Sequence, residues 1–355
     1  MVQNNIRFNR ADQLTQHLTA RCLQFRAGER FLSVRQIMDE FNVSQITVKQ
    51  AMERLCETGV LEAQERRGYF VRREPRYRKI VCLTPSDIAD YLEELSSLLK
   101  EEAEKAGFES SLVDMPDNAS GVAMLPKLKA DAVLFIPYAH EEITPEQLNR
   151  IMAQPMPVII TYGTVSVGGC RYVDGDNEFS GVLAATYLLM NGHRKLGILV
   201  SEPEVTVIRQ RLDGFLKCAR ACGVEVEVLH PHIEIGESSP LRSYEFFKQY
   251  LSEHPKPGFT GLFVVSMFPA REVIRAANEC GLEIPRDFSL ISLGRAGHKA
   301  GEDITRINTR RDLVVSYAVR LVKDYFEHKE NTPMFHIVPT EIHQGNTVRN
   351  IGFPQ

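Results

Sequence analysis

The spacing of apolar residues changes along this chain, and the changes mark out its parts. Leu14, Leu18 and Cys22 recur at helical spacing and predict a first helix within residues 10–25. Ser33-Val34-Arg35-Gln36 then has the form of a capping box, and Ile37 and Phe41 follow on one face of a short helix. Asn42-Val43-Ser44 interrupts the pattern. Ser44 is placed to cap another helix whose Val48, Ala51, Met52 and Leu55 form a single inward stripe. Gln45, Ile46, Lys49 and Gln50 fall on the opposite face, and Gly59 supplies the stop. Residues 60–63 and 69–72 read as two strands joined by Glu65-Arg66-Arg67-Gly68, a hairpin with a basic tip. Two short helices, a tight turn and a basic hairpin predict a winged helix-turn-helix, whose second helix suits the major groove. The plainer alternative is a helical pair whose charges are merely solvated.

Arg72-Arg73-Glu74-Pro75-Arg76-Tyr77-Arg78 carries charge and a proline but no apolar period. It predicts a linker at 74–78 between a domain of residues 1–73 and one of 79–355. Beyond it the texture changes to apolar runs of strand length, at 80–85, 111–115, 132–137, 158–162, 196–200, 224–229, 262–267 and 288–293. Amphipathic stretches at 88–105, 179–190, 207–221, 241–252 and 270–280 lie between them. Continuous apolar strands separated by helices predict an α/β body with parallel sheets covered on both faces. Periodicity alone leaves a single barrel and two doubly wound sheets equally open.

Composition narrows the class. The chain has 355 residues, 43% hydrophobic and 25% charged, as expected of globular domains with ample core. No apolar run approaches the length of a transmembrane helix and the N-terminus is polar, so no membrane association is expected and the cytoplasm is the expected compartment. Seven scattered cysteines give no disulfide framework, and Cys218 and Cys222 read as buried small hydrophobes rather than metal ligands. The ten histidines form no ligand signature, so no metal or cofactor is expected. Residues 1–78 hold 14 Lys+Arg against 9 Asp+Glu, leaving 28 against 37 in the remainder of a chain whose net charge is −4. A basic small domain on an acidic large one fits a head that touches DNA and a body that avoids it. No Ser-His, paired-carboxylate or phosphate-loop arrangement points to an enzyme.

Residues 8–73 resemble the winged-helix domain of the GntR (gluconate repressor) family. The resemblance rests on Phe31-Leu32-Ser33-Val34-Arg35, on Val43-Ser44-Gln45-Ile46-Thr47-Val48-Lys49-Gln50-Ala51 and on Arg67-Gly68-Tyr69-Phe70-Val71. Residues 79–350 resemble the effector domain of the lactose/galactose repressor family, relatives of periplasmic sugar-binding proteins. Here the signature is Val173-Asp174-Gly175-Asp176-Asn177, Gly181, Ala185, Gly192-His193-Arg194-Lys195 and Arg211-Leu212-Asp213-Gly214-Phe215. The run from Gly281 to Ser289, Ile304-Thr305-Arg306-Ile307 and Pro339-Thr340-Glu341 complete it. This implies a two-lobed, doubly wound body of the periplasmic-binding-protein-like type I, with lobes of roughly 79–174 plus 310–338 and 175–306 plus 339–355. A head of the first kind on a body of the second is similar to the arrangement in arabinose repressors.

The resemblance implies a transcriptional repressor, a homodimer binding a double-stranded DNA operator and answering to a small molecule such as a sugar or sugar derivative. Ser33, Arg35, Ser44, Gln45, Ile46, Thr47 and Lys49 would read or position the DNA, with Arg66, Arg67 and Gly68 at the minor groove or backbone. An activator or a ligand-independent regulator with a vestigial pocket is one alternative, and a small-molecule binding protein is another. The implied effector residues are Ser86, Tyr91, Asp176, Arg211, Met267 and Arg295, although Asp176 equally suits a helix cap. Two carboxylates usual in the family are missing, since Ser266-Met267-Phe268 and Leu293-Gly294-Arg295 stand in their places. A less hydroxylated, more apolar or anionic ligand fits that pocket better than a neutral monosaccharide.

Overall fold

A computed structural model of the chain describes residues 10–22, 24–26, 28–72, 78–85, 89–138, 141–162, 169–294, 304–327 and 334–352. Two compact units divide it, Met1–Arg78 and Lys79–Gln355.

In the first unit, α1 (Arg10–Cys22), α2 (Val34–Phe41) and α3 (Gln45–Glu57) precede the antiparallel pair β1 (Leu61–Gln64) and β2 (Gly68–Val71). Val48, Ala51, Met52 and Leu55 of α3 are fully buried against Leu14 and Leu18 of α1 and Ile37 of α2, so the inward stripe is as its spacing predicts. Gly68 pairs with Gln64 inside the strand ladder, which shortens the expected wing turn to residues 65–67. Residues 28–31 add a third extended segment. Phe31 N–H donates to the Tyr69 carbonyl, Val71 N–H to that of Glu29, and Arg30 bridges Phe70 antiparallel.

The second unit holds two six-stranded sheets. The first is built from β3 (Arg78–Pro85), β4 (Phe108–Met115), β5 (Ala132–Phe135), β6 (Val158–Thr161) and β7 (Arg171–Gly175). The second takes β8 (Leu196–Leu199), β9 (Val226–Leu229), β10 (Gly261–Val264), β11 (Ser289–Leu293) and β12 (Arg306–Asn308). The chain then returns to the first sheet with β13 (Phe335–Val338) and closes on the second with β14 (Glu341–His343). The orders are β13-β7-β6-β5-β3-β4 and β14-β12-β11-β10-β8-β9, so three crossovers link the lobes and the barrel alternative falls away.

Alternate strand residues divide between the two faces of each sheet. In the first lobe Cys82, Leu134 and Ile159 pack beneath α4 (Ala89–Ala106) and α11 (Arg311–Phe326), whereas Leu83, Val133 and Ile160 meet α5 (Asn118–Met124) and α6 (Pro145–Met152). In the second, Ile198 and Phe263 face α7 (Asn177–Met190) and α8 (Thr206–Ala221), and Leu199 and Val264 face α9 (Ser239–Glu253) and α10 (Met267–Glu279).

Two signature glycines act here as scaffold. A Cβ at Gly181 would collide with the carbonyl oxygen of Arg211, and one at Gly214 with that of Glu178. Together they let α7 and α8 cross backbone against backbone, and any side chain there would push the helices apart. One expectation fails nearby. Cys222 is exposed and Cys218 only half-buried, because α8 ends at this point and turns its last residues to solvent.

Candidate functional site

Helix ends fix the geometry of the head's polar face. Ser33 caps α2 in a reciprocal box, the Gln36 amide donating to Ser33 Oγ at 3.3 Å while Gln36 Oε1 accepts from the Ser33 amide at 2.8 Å. Ser44 caps α3, accepting from the Thr47 amide at 3.2 Å, with the two hydroxyls 2.9 Å apart. Each cap contributes about 1 kcal/mol. Ser33, Ser44 and Thr47 thus already serve the helices that present the other residues.

With its stripe buried, α3 leaves Gln45, Ile46 and Lys49 in solvent, and Ile46 is 71% exposed. Arg35 on α2 and Arg66 and Arg67 on the hairpin tip are exposed as well. The head's arginines fall into two sets. Arg21 pairs with Glu40, Arg54 with Asp12 and Arg72 with Glu62. Arg35, Arg66 and Arg67, with Lys49, form no ion pair among the described residues. Arg67 instead rests its guanidinium 5.4 Å from the centre of the Phe70 ring.

In open α/β sheets ligands bind beyond the carboxyl ends of the strands. Arg211 lies in the second turn of α8 rather than at its start, because that helix begins at Thr206. Its Nε donates to Asn177 Oδ1 at 3.0 Å and its Nη1 to the Val265 carbonyl at 3.2 Å. Asn177 Nδ2 in turn donates to Asp174 Oδ2 at 3.1 Å. Burial lowers the Arg211 pKa, and the nearby Asp174 and Glu202 carboxylates oppose that. The crossover strand β7, both helices of the close crossing and the end of β10 are thereby tied together.

Of the other implied effector residues, two can be described in full. Asp176 caps α7, accepting from the Phe179 amide at 2.8 Å. Met267 opens α10 and is 3% exposed in the lobe's hydrophobic core. Tyr91 lies in α4 with its side chain outside the description, and Ser86 and Arg295 lie outside the described residues. Asn177, Asp174 and Glu202 do converge on Arg211; the sequence named Asp174 and Asn177 only within the family signature and Glu202 not at all. For Asn177 the signal was its place immediately after Asp176, where only the capping residue drew attention.

Among the described residues a contact joins the two lobes. Val205 at the N-cap of α8 offers no side-chain cap, and Glu142 from the first lobe takes that role. Its Oε1 accepts from the Thr206 amide at 2.6 Å, the Thr206 hydroxyl at 2.8 Å and Arg209 Nη2 at 2.8 Å. No group of three or more His, Cys, Asp or Glu able to hold a metal occurs among the described residues, and no helix described is long and apolar enough to cross a membrane.

Comparison with known proteins places these features. Residues 10–71 match the family of bacterial regulatory proteins of the gntR type, and residues 185–348 match the periplasmic binding protein-like domain. The HTH-type transcriptional repressor PurR of Mannheimia succiniciproducens is 26% identical over 246 residues, covering 68% of this chain and 72% of that one. A LacI family transcriptional regulator from Enterococcus faecium, solved with bound ribose, superposes with a TM-score of 0.62 at 19% identity, over 78% of this chain and all of that one (100%). The transcription regulator CcpA of Lactococcus lactis gives 0.65 at 14% identity, over 77% and 100%. The chain therefore matches the gntR type over its head and the periplasmic binding protein-like domain over much of its body, and it shares the fold of these solved regulators.

Proposed function

We propose that this protein is a cytoplasmic transcriptional repressor that binds its operator as a homodimer and is switched by a small molecule held between the lobes of its body. The observation that carries the DNA-binding half is the sorting of the head's cations. Three arginines are neutralised by carboxylates, while Arg35, Lys49, Arg66 and Arg67 are exposed and without ion pairs among the described residues. Exposed, unneutralised cations on a helix-turn-helix and its wing suit phosphates, and each contact releases counterions.

On this reading the amino end of α3 enters the major groove. Gln45 suits adenine N6 and N7, Ile46 is free to meet a thymine methyl, and Arg35 and Lys49 hold the register. Arg66 and Arg67 take the wing to the minor groove or backbone. Two heads would span half-sites about one helical turn or a multiple apart.

The switch resides in the body. Glu142 joins the lobes through a single carboxylate oxygen, so opening the cleft removes the cap of α8. An effector shifts that equilibrium only by binding one state better than the other. The ribose in the Enterococcus faecium regulator supports a small, sugar-like or related metabolite here. Ser266 and Gly294, in the places where carboxylates were expected, favour a ligand with fewer hydroxyls to satisfy. A ligand-independent regulator is the second reading, favoured by the engagement of Arg211 within its own lobe. Thermal-shift screening of sugars, sugar phosphates and organic acids separates the two readings, since only the first predicts a stabilising compound. Selection of genomic fragments by the full-length protein tests the main reading. Recurrent recovery of one pseudo-palindrome is expected, and an unenriched pool would contradict it.

A further inference from the structure

We infer that Arg30, ahead of the helix-turn-helix, is a DNA backbone contact, and that the wing works as a three-stranded surface with Arg30 on its outer edge strand. The inference rests on the DNA-binding reading above. Residues 28–31 pair with β2 through Gly28 N–H to the Val71 carbonyl at 2.7 Å, Val71 N–H to that of Glu29 at 2.8 Å and Phe31 N–H to that of Tyr69 at 2.8 Å. Arg30 and Phe70 are thereby a non-hydrogen-bonded antiparallel pair, the arrangement that brings facing side chains closest.

Val71 is buried and Tyr69 packs on the head's core, so Gly68 and Phe70 point the other way, outward. The Arg30 guanidinium lies over Gly68, where a Cβ would sit 3.4 Å from its Nε and 3.5 Å from its Nη2. Gly68 has φ +101°, a conformation side chains rarely adopt, and its bare face gives Arg30 room beside the tip. Arg67 occupies the same outer face over Phe70. Arg30 is exposed and forms no ion pair among the described residues, and Arg66 and Arg67 follow at the adjoining turn. Like charges brought together on a rigid ladder repel, and folding gains nothing from it. A polyanion laid along that edge offsets the repulsion.

Fluorescence anisotropy of the full-length chain on a mixed-sequence DNA duplex, repeated across salt concentrations, tests this. Arg30→Gln is expected to shallow the slope of log affinity against log salt by about one and to weaken binding about fivefold near 0.15 M salt. Arg30→Lys should keep the wild-type slope, as should Arg54→Gln, which removes an arginine already paired with Asp12. A wild-type slope in Arg30→Gln overturns the contact, and so does a reduced slope that Arg30→Lys fails to restore. A wild-type protein without salt-sensitive DNA binding overturns the DNA-binding reading, and the inference with it.

Discussion

In the head, Arg35, Arg66 and Arg67 stand in solvent without ion pairs among the described residues, whereas in the body Arg211 is held between Asn177 and the carbonyl of Val265. Both sets came from family motifs, and their surroundings assign them different work. Among the described residues Arg35, Arg66 and Arg67 meet no carboxylate, which on the proposed reading leaves them for a partner. Arg211 bonds to α7 and to the end of β10, beside the carboxylates of Asp174 and Glu202. It holds the second lobe's cleft wall together whether or not it also touches a ligand. Exposure and internal partners, rather than motif membership, separate contact residues from scaffold.

The largest expected effect lies on the scaffold side. Arg211→Ala strands Asn177 Oδ1 and the Val265 carbonyl and leaves Asp174 and Glu202 without their cation, a loss of roughly 3 kcal/mol. Thermal unfolding should show a body melting well below wild type while the head's DNA contacts persist. An unchanged melting temperature would break the comparison by moving Arg211 to the ligand-only class. Next is Glu142→Gln, which weakens the cap that α8 borrows across the cleft and should cost about 1 kcal/mol. Amide exchange at Thr206 and the following turn should rise, and scattering should register a more open body. Exchange equal to wild type would mean that the lobes do not depend on this tie.

The smallest effect is one of pH. His193 is fully buried, with Nδ1 3.0 Å from Thr260 Oγ1 and Nε2 3.2 Å from the Arg349 carbonyl. A carbonyl only accepts, so Nε2 carries a proton. Burial lowers the His193 pKa from its ordinary 6.5, so the folded chain refuses a proton that the unfolded chain accepts. That contribution is complete above about 6.5 and is lost as pH falls from there toward the lowered value. His336, whose pKa burial also lowers, adds in the same direction. Stability should decline with acid over this range and decline less in His193→Gln. An equal decline in both proteins would assign the acid sensitivity to other groups.

Much of the head was legible because its signals are contiguous. The capping box at Ser33, the cap at Ser44 and the stripe from Val48 to Leu55 each need only a few residues, and each forms as its spacing demands. Arg30 escaped notice because its importance comes from pairing with Phe70, forty residues away in sequence, which no local pattern announces. In the body the central strands read clearly as apolar runs. β7, β12, β13 and β14 did not; β12 and β14 are three residues long and mix charged with apolar side chains, β14 at the sheet edge. The cleft was hardest, since the Arg211 cluster draws on positions 174, 177, 202, 211 and 265. Only folding makes those positions neighbours. Asp176, which suited both a ligand and a helix cap, does cap α7 beside the residue that reaches Arg211.

The central claim is that the unpaired cations of the head exist for DNA. Anisotropy titration of the full-length protein against the DNA upstream of its own gene, beside an unrelated duplex, tests it most directly. Tight, salt-sensitive and sequence-preferring binding is expected. The Arg35→Ala, Lys49→Ala double variant should shallow the salt slope by about two and weaken binding about 25-fold near 0.15 M salt, while melting at the wild-type temperature. Equal affinity for both duplexes, or a double variant that binds as wild type does, would contradict the account.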